Sequence, residues 1–276
     1  MIPNGSYAAA PGPLPATALV TGGAGALGVA IANAIAPGRR VALIDIGEHV
    51  HEVAATLPDA IAFAGDLSSP DTVRDLYAAA FETLGPIGIV VHCAGFAPVA
   101  PFLETDRATF EEALNVNLLA GFDLFRYAAL DLIAQGHAGR FVSISSISGA
   151  RAGYARTAYG TSKAALIHLA GQMALELGPY GITSNTVAPG PVDTPLSRER
   201  HTAEARADYQ RTIPMARYGE AEEIARAVAF LTAEESSYIS GQTLFIDGGY
   251  MAAGMGVTTA QSAAAIRRVP ATKDDQ

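Results

Sequence analysis

Lysine is almost missing from this chain. Of 18 basic residues in 276, 16 are arginines and two are lysines, Lys163 and Lys273. Lys273 lies in a polar C-terminal stretch, whereas Lys163 follows Tyr159 by four positions in Tyr159-Gly-Thr-Ser-Lys163. A chain that otherwise relies on arginine, yet places one ammonium at an interior point, suggests chemistry there. Cysteine is scarcer still. Cys93 stands alone, which excludes an intramolecular disulfide and fits a reducing cytoplasm. No apolar run is long enough to span a membrane. Dense basic clusters are absent, and the net charge of −9 argues against a nucleic-acid partner. Residues 1–15 contain no basic residue and no long apolar stretch, so they make a poor signal peptide. Their Pro, Gly and Ala content reads as a flexible arm.

What is present is enough for a large core: half the residues are hydrophobic and 16% are charged. Short apolar runs alternate with segments of helical spacing. The runs are Ala18–Val20, Val41–Ile44, Ile61–Phe63, Ile87–His92, Arg140–Ile144, Ile182–Val187 and Thr243–Ile246. Between them, helices are expected over 26–36, 49–57, 69–84, 107–135, 158–177 and 221–231. Strands that are continuous apolar runs separated by helices imply a mostly parallel sheet covered on both faces. With no internal repeat and no dividing linker, the α/β chain reads as a single doubly wound, seven-stranded domain over 16–249. Residues 250–276 form a C-terminal extension.

The first strand leads into Thr21-Gly22-Gly23-Ala24-Gly25-Ala26-Leu27-Gly28. Glycines let a backbone turn sharply and approach a diphosphate, while the following helix contributes N–H groups and its positive dipole end. Any tight strand-to-helix corner also needs glycine, so the turn alone is weak. Asp45 closes the second strand, 17 positions after Gly28. A carboxylate there accepts hydrogen bonds from both hydroxyls of an adenosine ribose and repels a 2′-phosphate, which favours NAD over NADP.

Taken in order, these pieces resemble the short-chain dehydrogenase/reductase family over roughly residues 16–249. The matching positions are the turn at 21–28, Asp45, Asp66-Leu67, Ala94-Gly95, Asn117, Ser146, Tyr159, Lys163, Pro189-Gly190 with Thr194, and Asp247-Gly-Gly249. The resemblance implies a Rossmann-type sheet, a nicotinamide cofactor and hydride transfer at a carbonyl carbon. It assigns Gly22, Gly25, Leu27, Gly28, Asp45, Asp66, Leu67, Ala94, Gly95, Tyr159, Lys163, Pro189, Gly190, Val192 and Thr194 to the cofactor. It gives Asn117, Ser146, Tyr159 and Lys163 catalytic roles, with Asn117 holding a water of a proton relay and Ser146 bonding the substrate oxygen. Ser146, Ser148, Tyr154 and Tyr159 are expected at the substrate, under a lid of residues 195–216.

The chemistry stands without the family name. Tyr159 and Lys163, four apart, share one helix face. A free phenol, with a pKa near 10, is too weak an acid to serve as a base at neutral pH; a nearby ammonium lowers that value. Two departures concern the cofactor. Ala26 stands where the family has glycine, which is tolerable if its φ is negative. His92-Cys93 replaces the usual pair of asparagines before Ala94-Gly95. A metal or nucleophile role for His92 and Cys93 is disfavoured, because no second His or Cys cluster supports it.

The substrate is expected to be a secondary alcohol or ketone of modest size. The alternatives are a 3-ketoacyl-thioester reductase, a non-catalytic NAD-binding regulator, and a dehalogenase or lyase on the same scaffold. The mixed charges of the lid read as a solvated face rather than an anion site. Apolar and small residues on the helices at 107–135 and 158–177, among them Ala164, Ala165, Leu169, Ala170, Met173 and Ala174, imply a homo-oligomer, with a tetramer expected. In the tail, a short helix over 258–268 is set against a disordered extension, and Tyr250, Met251 and Met255 are expected at the mouth of the site.

Overall fold

The structure, a computed structural model, describes residues 11–253. The arm before Pro11, the tail helix expected over 258–268 and Met255 lie outside the described residues. The strands are β1 (Thr17–Thr21), β2 (Arg40–Asp45), β3 (Ala60–Ala64), β4 (Ile89–His92), β5 (Gly139–Ile144), β6 (Ile182–Pro189) and β7 (Thr243–Ile246). They form one sheet in the order β3-β2-β1-β4-β5-β6-β7, with every neighbouring pair parallel. The helices are α1 (Ala26–Ile35), α2 (Val50–Ala55), α3 (Pro70–Leu84), α4 (Arg107–Leu114), α5 (Ala120–Gln135), α6 (Thr157–Leu177), α7 (Pro195–Arg200), α8 (Ala203–Thr212) and α9 (Ala221–Leu231). No helix among the described residues is long and apolar enough to cross a membrane.

Side chains alternate across the sheet. From β1, Ala18 and Val20 enter a core shared with Ile31 and Ile35 of α1 and with Ile224 and Val228 of α9, while Leu19 enters the opposite core with Val73 of α3 and Leu124 of α5. Two buried faces explain why the strands read as unbroken apolar runs rather than alternating ones. The order of strand addition reverses at β1: β2 and β3 lie to one side and β4 to the other. The C-terminal ends of these strands border the crevice where ligands bind in open α/β sheets.

Local signals set the element ends. Ser69 caps α3 by accepting from the Thr72 amide, with Pro70 in the first turn, and Asp106 caps α4 by accepting from the Thr109 amide. The helical pattern at 107–135 is not one α-helix: a π-helical stretch, Asn115–Leu119, separates α4 from α5. The arm is tied down where described, for the Gly12 amide donates to the Gly136 carbonyl at 2.8 Å.

Candidate active site

A cavity of about 860 Å³ runs across the C-terminal ends of the central strands. Its lining includes nearly every residue expected from the sequence: Gly22, Gly25, Leu27, Gly28, Asp45, Asp66, Leu67, Ala94, Gly95, Ser146, Ser148, Tyr159, Lys163, Pro189, Gly190, Val192 and Thr194. Of the residues expected at the cofactor, the substrate or the catalytic step, two are not in it. Tyr154 is 88% exposed and is not part of the wall; it precedes Ala155, whose φ of 57° turns the chain into α6. Asn117 is fully buried behind the wall.

The glycine turn is built for close approach. A Cβ at Gly28 would sit 2.0 Å from the Gly22 carbonyl oxygen, so this position admits no side chain. Gly25 caps α1 with φ −73° and ψ 153°, and Ala26 begins the helix without a positive φ. Alanine therefore fits where the family has glycine. Asp45 braces the turn: its Oδ2 accepts from the Ala24 amide at 2.9 Å and its Oδ1 from the Ile46 amide at 2.8 Å. Asp66 likewise accepts from the amide and hydroxyl of Ser68. No cation lines this end. The lining cations among the described residues are Lys163, Arg156 and Arg200: Lys163 donates to the Ile144 carbonyl, Arg200 to the Ala97 carbonyl, and Arg156 lies over the Tyr159 ring.

At the other end, β5 runs into Ser145 and Ser146, and α6 carries Tyr159 and Lys163. Ser146 Oγ accepts from the Ser148 amide at 3.1 Å, which leaves its O–H free to donate. Lys163 is 3% exposed and donates to the Ile144 carbonyl at 2.8 Å; Ser145 Oγ in turn donates to the Lys163 carbonyl at 2.7 Å. Burial pulls the ammonium down to about 8. Burial also raises the Tyr159 phenol, against the lowering effects of the Ser146 hydroxyl and the Arg156 guanidinium. Lys163 Nζ and Arg156 Cζ each lie 5.7 Å from the Tyr159 ring centroid. The charge that favours the phenolate is thus Arg156, where the sequence assigns that effect to Lys163, and burial outweighs it.

Asn117 is clamped. Its Nδ2 donates to the Phe96 carbonyl and to Ser162 Oγ, both at 2.8 Å, and its Oδ1 accepts from the Phe96 amide at 2.7 Å. Its backbone carbonyl and that of Val116 accept from His92 Nε2 at 3.2 and 3.1 Å. Carbonyls only accept, so Nε2 carries the proton and Nδ1 accepts from Thr21 Oγ1 at 3.0 Å. Thr21 Oγ1 then accepts from the Cys93 and Ala94 amides. One imidazole therefore joins the cofactor turn, the end of β4 and the π-helical stretch. Burial first, and the Lys163 charge second, hold it neutral with a pKa near 3. Cys93 lines the cavity as a thiol, its pKa pushed by burial up to about 12. No group of three metal-ligating side chains occurs among the described residues.

The segment expected as a lid folds into helices α7 and α8, which contribute to the cavity wall. Thr194 starts it with a capping box to Ser197. Asp193 binds both Arg198 and Arg206, at 3.0 and 2.9 Å. Tyr209 stacks on His201 at 5.5 Å and lies 6.4 Å from Tyr250. Tyr250 thus reaches the lid's aromatic cluster without lining the cavity. Leu196, Arg200, His201 and Tyr209 do line it.

A family model described as enoyl-(acyl carrier protein) reductase matches residues 22–251. Among curated relatives, the L-rhamnose 1-dehydrogenase (NAD(P)(+)) of Sphingomonas sp. (strain SKA58) is 33% identical over 72% of this chain and 79% of its own. The acetoacetyl-CoA reductase of Allochromatium vinosum is 32% identical over 84% of this chain and 97% of its own. A solved structure of a proposed NAD(P)-dependent gluconate 5-dehydrogenase from Beutenbergia cavernae, with NADP bound at low occupancy, aligns with a TM-score of 0.82. It is 31% identical and covers 88% of this chain and all of that one. The chain belongs to the short-chain dehydrogenase/reductase family and is an oxidoreductase of the nicotinamide-dependent kind.

Proposed function

We infer that the protein interconverts a secondary alcohol and a ketone, using NAD in preference to NADP, with Tyr159 as the acid and base. The observation that carries this reading is one continuous cavity with Ser146, Tyr159 and Lys163 at one end and Asp45 at the other. The bound nicotinamide supplies the hydride acceptor for oxidation and the hydride donor for reduction. The side chains manage the oxygen and its proton. In oxidation, the hydroxyl proton passes to the Tyr159 phenolate oxygen while the carbinol C–H bond breaks and its electron pair leaves with the hydride. In reduction, Tyr159 returns a proton to the carbonyl oxygen. Ser146 donates its free O–H to that oxygen. Lys163, buried and cationic below about pH 8, is suited to the ribose hydroxyls.

Relatives are named for both cofactors, so the preference rests on this chain's own residues. Asp45 accepts from two amides and, among the described residues, faces no lining cation that would balance a 2′-phosphate. Desolvating a carboxylate against a phosphate costs at least about 1.4 kcal/mol, or tenfold in affinity. Fluorescence titration is expected to give NADH a Kd at least ~10-fold below that of NADPH, with the gap narrowed in Asp45→Ala. Equal affinities in the wild type would refute the preference. Absorbance at 340 nm with secondary alcohols, sugars, sugar acids and acetoacetyl-CoA then sorts the substrate class. Turnover of acetoacetyl-CoA alone would favour the thioester reductase instead.

A further inference from the structure

The charges around the lid do not cancel evenly. Asp193 takes up Arg198 and Arg206, Asp208 pairs with Arg211, and Glu223 with Arg217. Two cavity-lining arginines, Arg156 and Arg200, have no carboxylate within 4 Å among the described residues. Both meet the same segment of chain. Arg200 Nη1 donates to the Ala97 carbonyl at 3.0 Å, and the Arg156 backbone pairs with Ala100. Arg156 also stands three residues before Tyr159, with its guanidinium 5.7 Å from the ring centroid. Its half-buried guanidinium lines the cavity beside the proton donor and meets no side-chain acceptor among the described residues. His201, on the same wall, has its pKa lowered chiefly by burial and then by the Arg156 and Arg206 charges. Its Nδ1 is already engaged with the Tyr218 hydroxyl at 2.9 Å, so it does not compete for an anion.

We propose that the substrate of this site carries a carboxylate, and that Arg156, assisted by Arg200, holds it while Tyr159 works on a neighbouring carbinol carbon. The inference rests on the alcohol–ketone reading above and narrows it to hydroxy acids and oxo acids. A planar guanidinium presents paired N–H donors that match a carboxylate in two parallel hydrogen bonds. The site is also partly withdrawn from water, where such a pair is stronger than at the surface. Asp45, Asp66 and Glu112 are the acidic lining residues. Asp45 and Asp66 belong to the cofactor end, so among the described residues Glu112 of α4 is the lining carboxylate left to oppose the anion.

The test separates binding from turnover. Butanoate and 1-butanol are titrated calorimetrically into NADH-loaded wild type, Arg156→Gln, Arg156→Lys and Glu112→Gln, with NADH affinity as the check on folding. In parallel, kcat/KM is compared within matched pairs, 3-hydroxybutyrate against 2-butanol and gluconate against sorbitol. Butanoate is expected to bind the wild type ~10-fold or more tightly than Arg156→Gln. Arg156→Lys should fall between them, and Glu112→Gln should bind butanoate no more weakly than the wild type. One acid should exceed its neutral partner about tenfold in kcat/KM, a preference that Arg156→Gln abolishes. Failure of the wild type to bind butanoate, or equal binding by wild type and Arg156→Gln, overturns the proposal. Butanoate binding through Arg156 without oxidation of any alcohol would refute the alcohol–ketone reading and keep the anion site. Oxidation of neutral alcohols with no response to butanoate would do the reverse.

Discussion

His92 shows how a single residue replaces a pattern. The family places an asparagine here, and this chain uses a buried imidazole with both nitrogens bonded. Its neutrality has a measurable consequence. The folded-state pKa lies near 3, well below the unfolded value of 6.5. Between those values the unfolded chain binds a proton that the native chain refuses, so the contribution of His92 to stability falls as pH drops from 6.5 toward 3. Replacing His92 by Asn removes that proton from the balance. Urea midpoints measured across this range are expected to fall less steeply for the variant than for the wild type, and parallel profiles would deny His92 a buried neutral state. The sequence shows His92 only as a departure from the family's asparagine, because its partners are backbone carbonyls 24 and 25 residues away and a hydroxyl 71 residues away.

The element that most affects the site is the π-helical stretch between α4 and α5. Periodicity makes 107–135 one helix, since an inserted residue in a hydrogen-bond ladder barely changes the spacing of apolar residues. What marks the insertion is packing. A Cβ on Gly121 would lie 2.7 Å from His92 Cδ2, 3.0 Å from Cγ and 3.2 Å from Nε2. The ring, bonded on both sides, has little room to yield. Gly121→Ala gains about 1 kcal/mol of helix propensity and incurs about 1–3 kcal/mol of overpacking. Net destabilisation is expected in the wild type. In a His92→Ala background, where the obstacle is gone, the same change should become neutral or stabilising. A double-mutant cycle by urea denaturation checks this, and simple additivity would show that the two residues do not share the space. Most other elements were legible from the sequence, because runs buried on both faces and capped helices carry strong local signals. Tyr154 was misplaced because the positive φ at Ala155 is a non-glycine exception that sequence does not announce. Arg156 was passed over because its significance depends on which other arginines are neutralised, and that is decided by Asp193 across the lid.

At the scale of the molecule, the helices beside the site leave apolar surface uncovered. Leu130 of α5 is 53% exposed and Leu175 of α6 is 74% exposed, with Leu119 and Phe122 also at the surface. Ala170, expected among the surplus residues, is instead buried in the chain's own core. Exposed apolar residues on both helices suit two-fold pairing. Light scattering at micromolar concentration is expected to report a multiple of the 28.4 kDa chain mass, with a tetramer favoured, and a monomeric mass would contradict it. Assembly, cofactor choice and substrate charge all surround one claim, that Tyr159 moves the proton while hydride moves between cofactor and carbon. The measurement closest to that claim is turnover at 340 nm by Tyr159→Phe, beside NADH binding by the same protein. Loss of one hydroxyl keeps the ring that Arg156 and Lys163 face. A fall in kcat of about 10²–10⁴-fold is expected, with NADH affinity within about twofold of wild type. Retention of more than about half the wild-type kcat, on the same scale of effect, would contradict it.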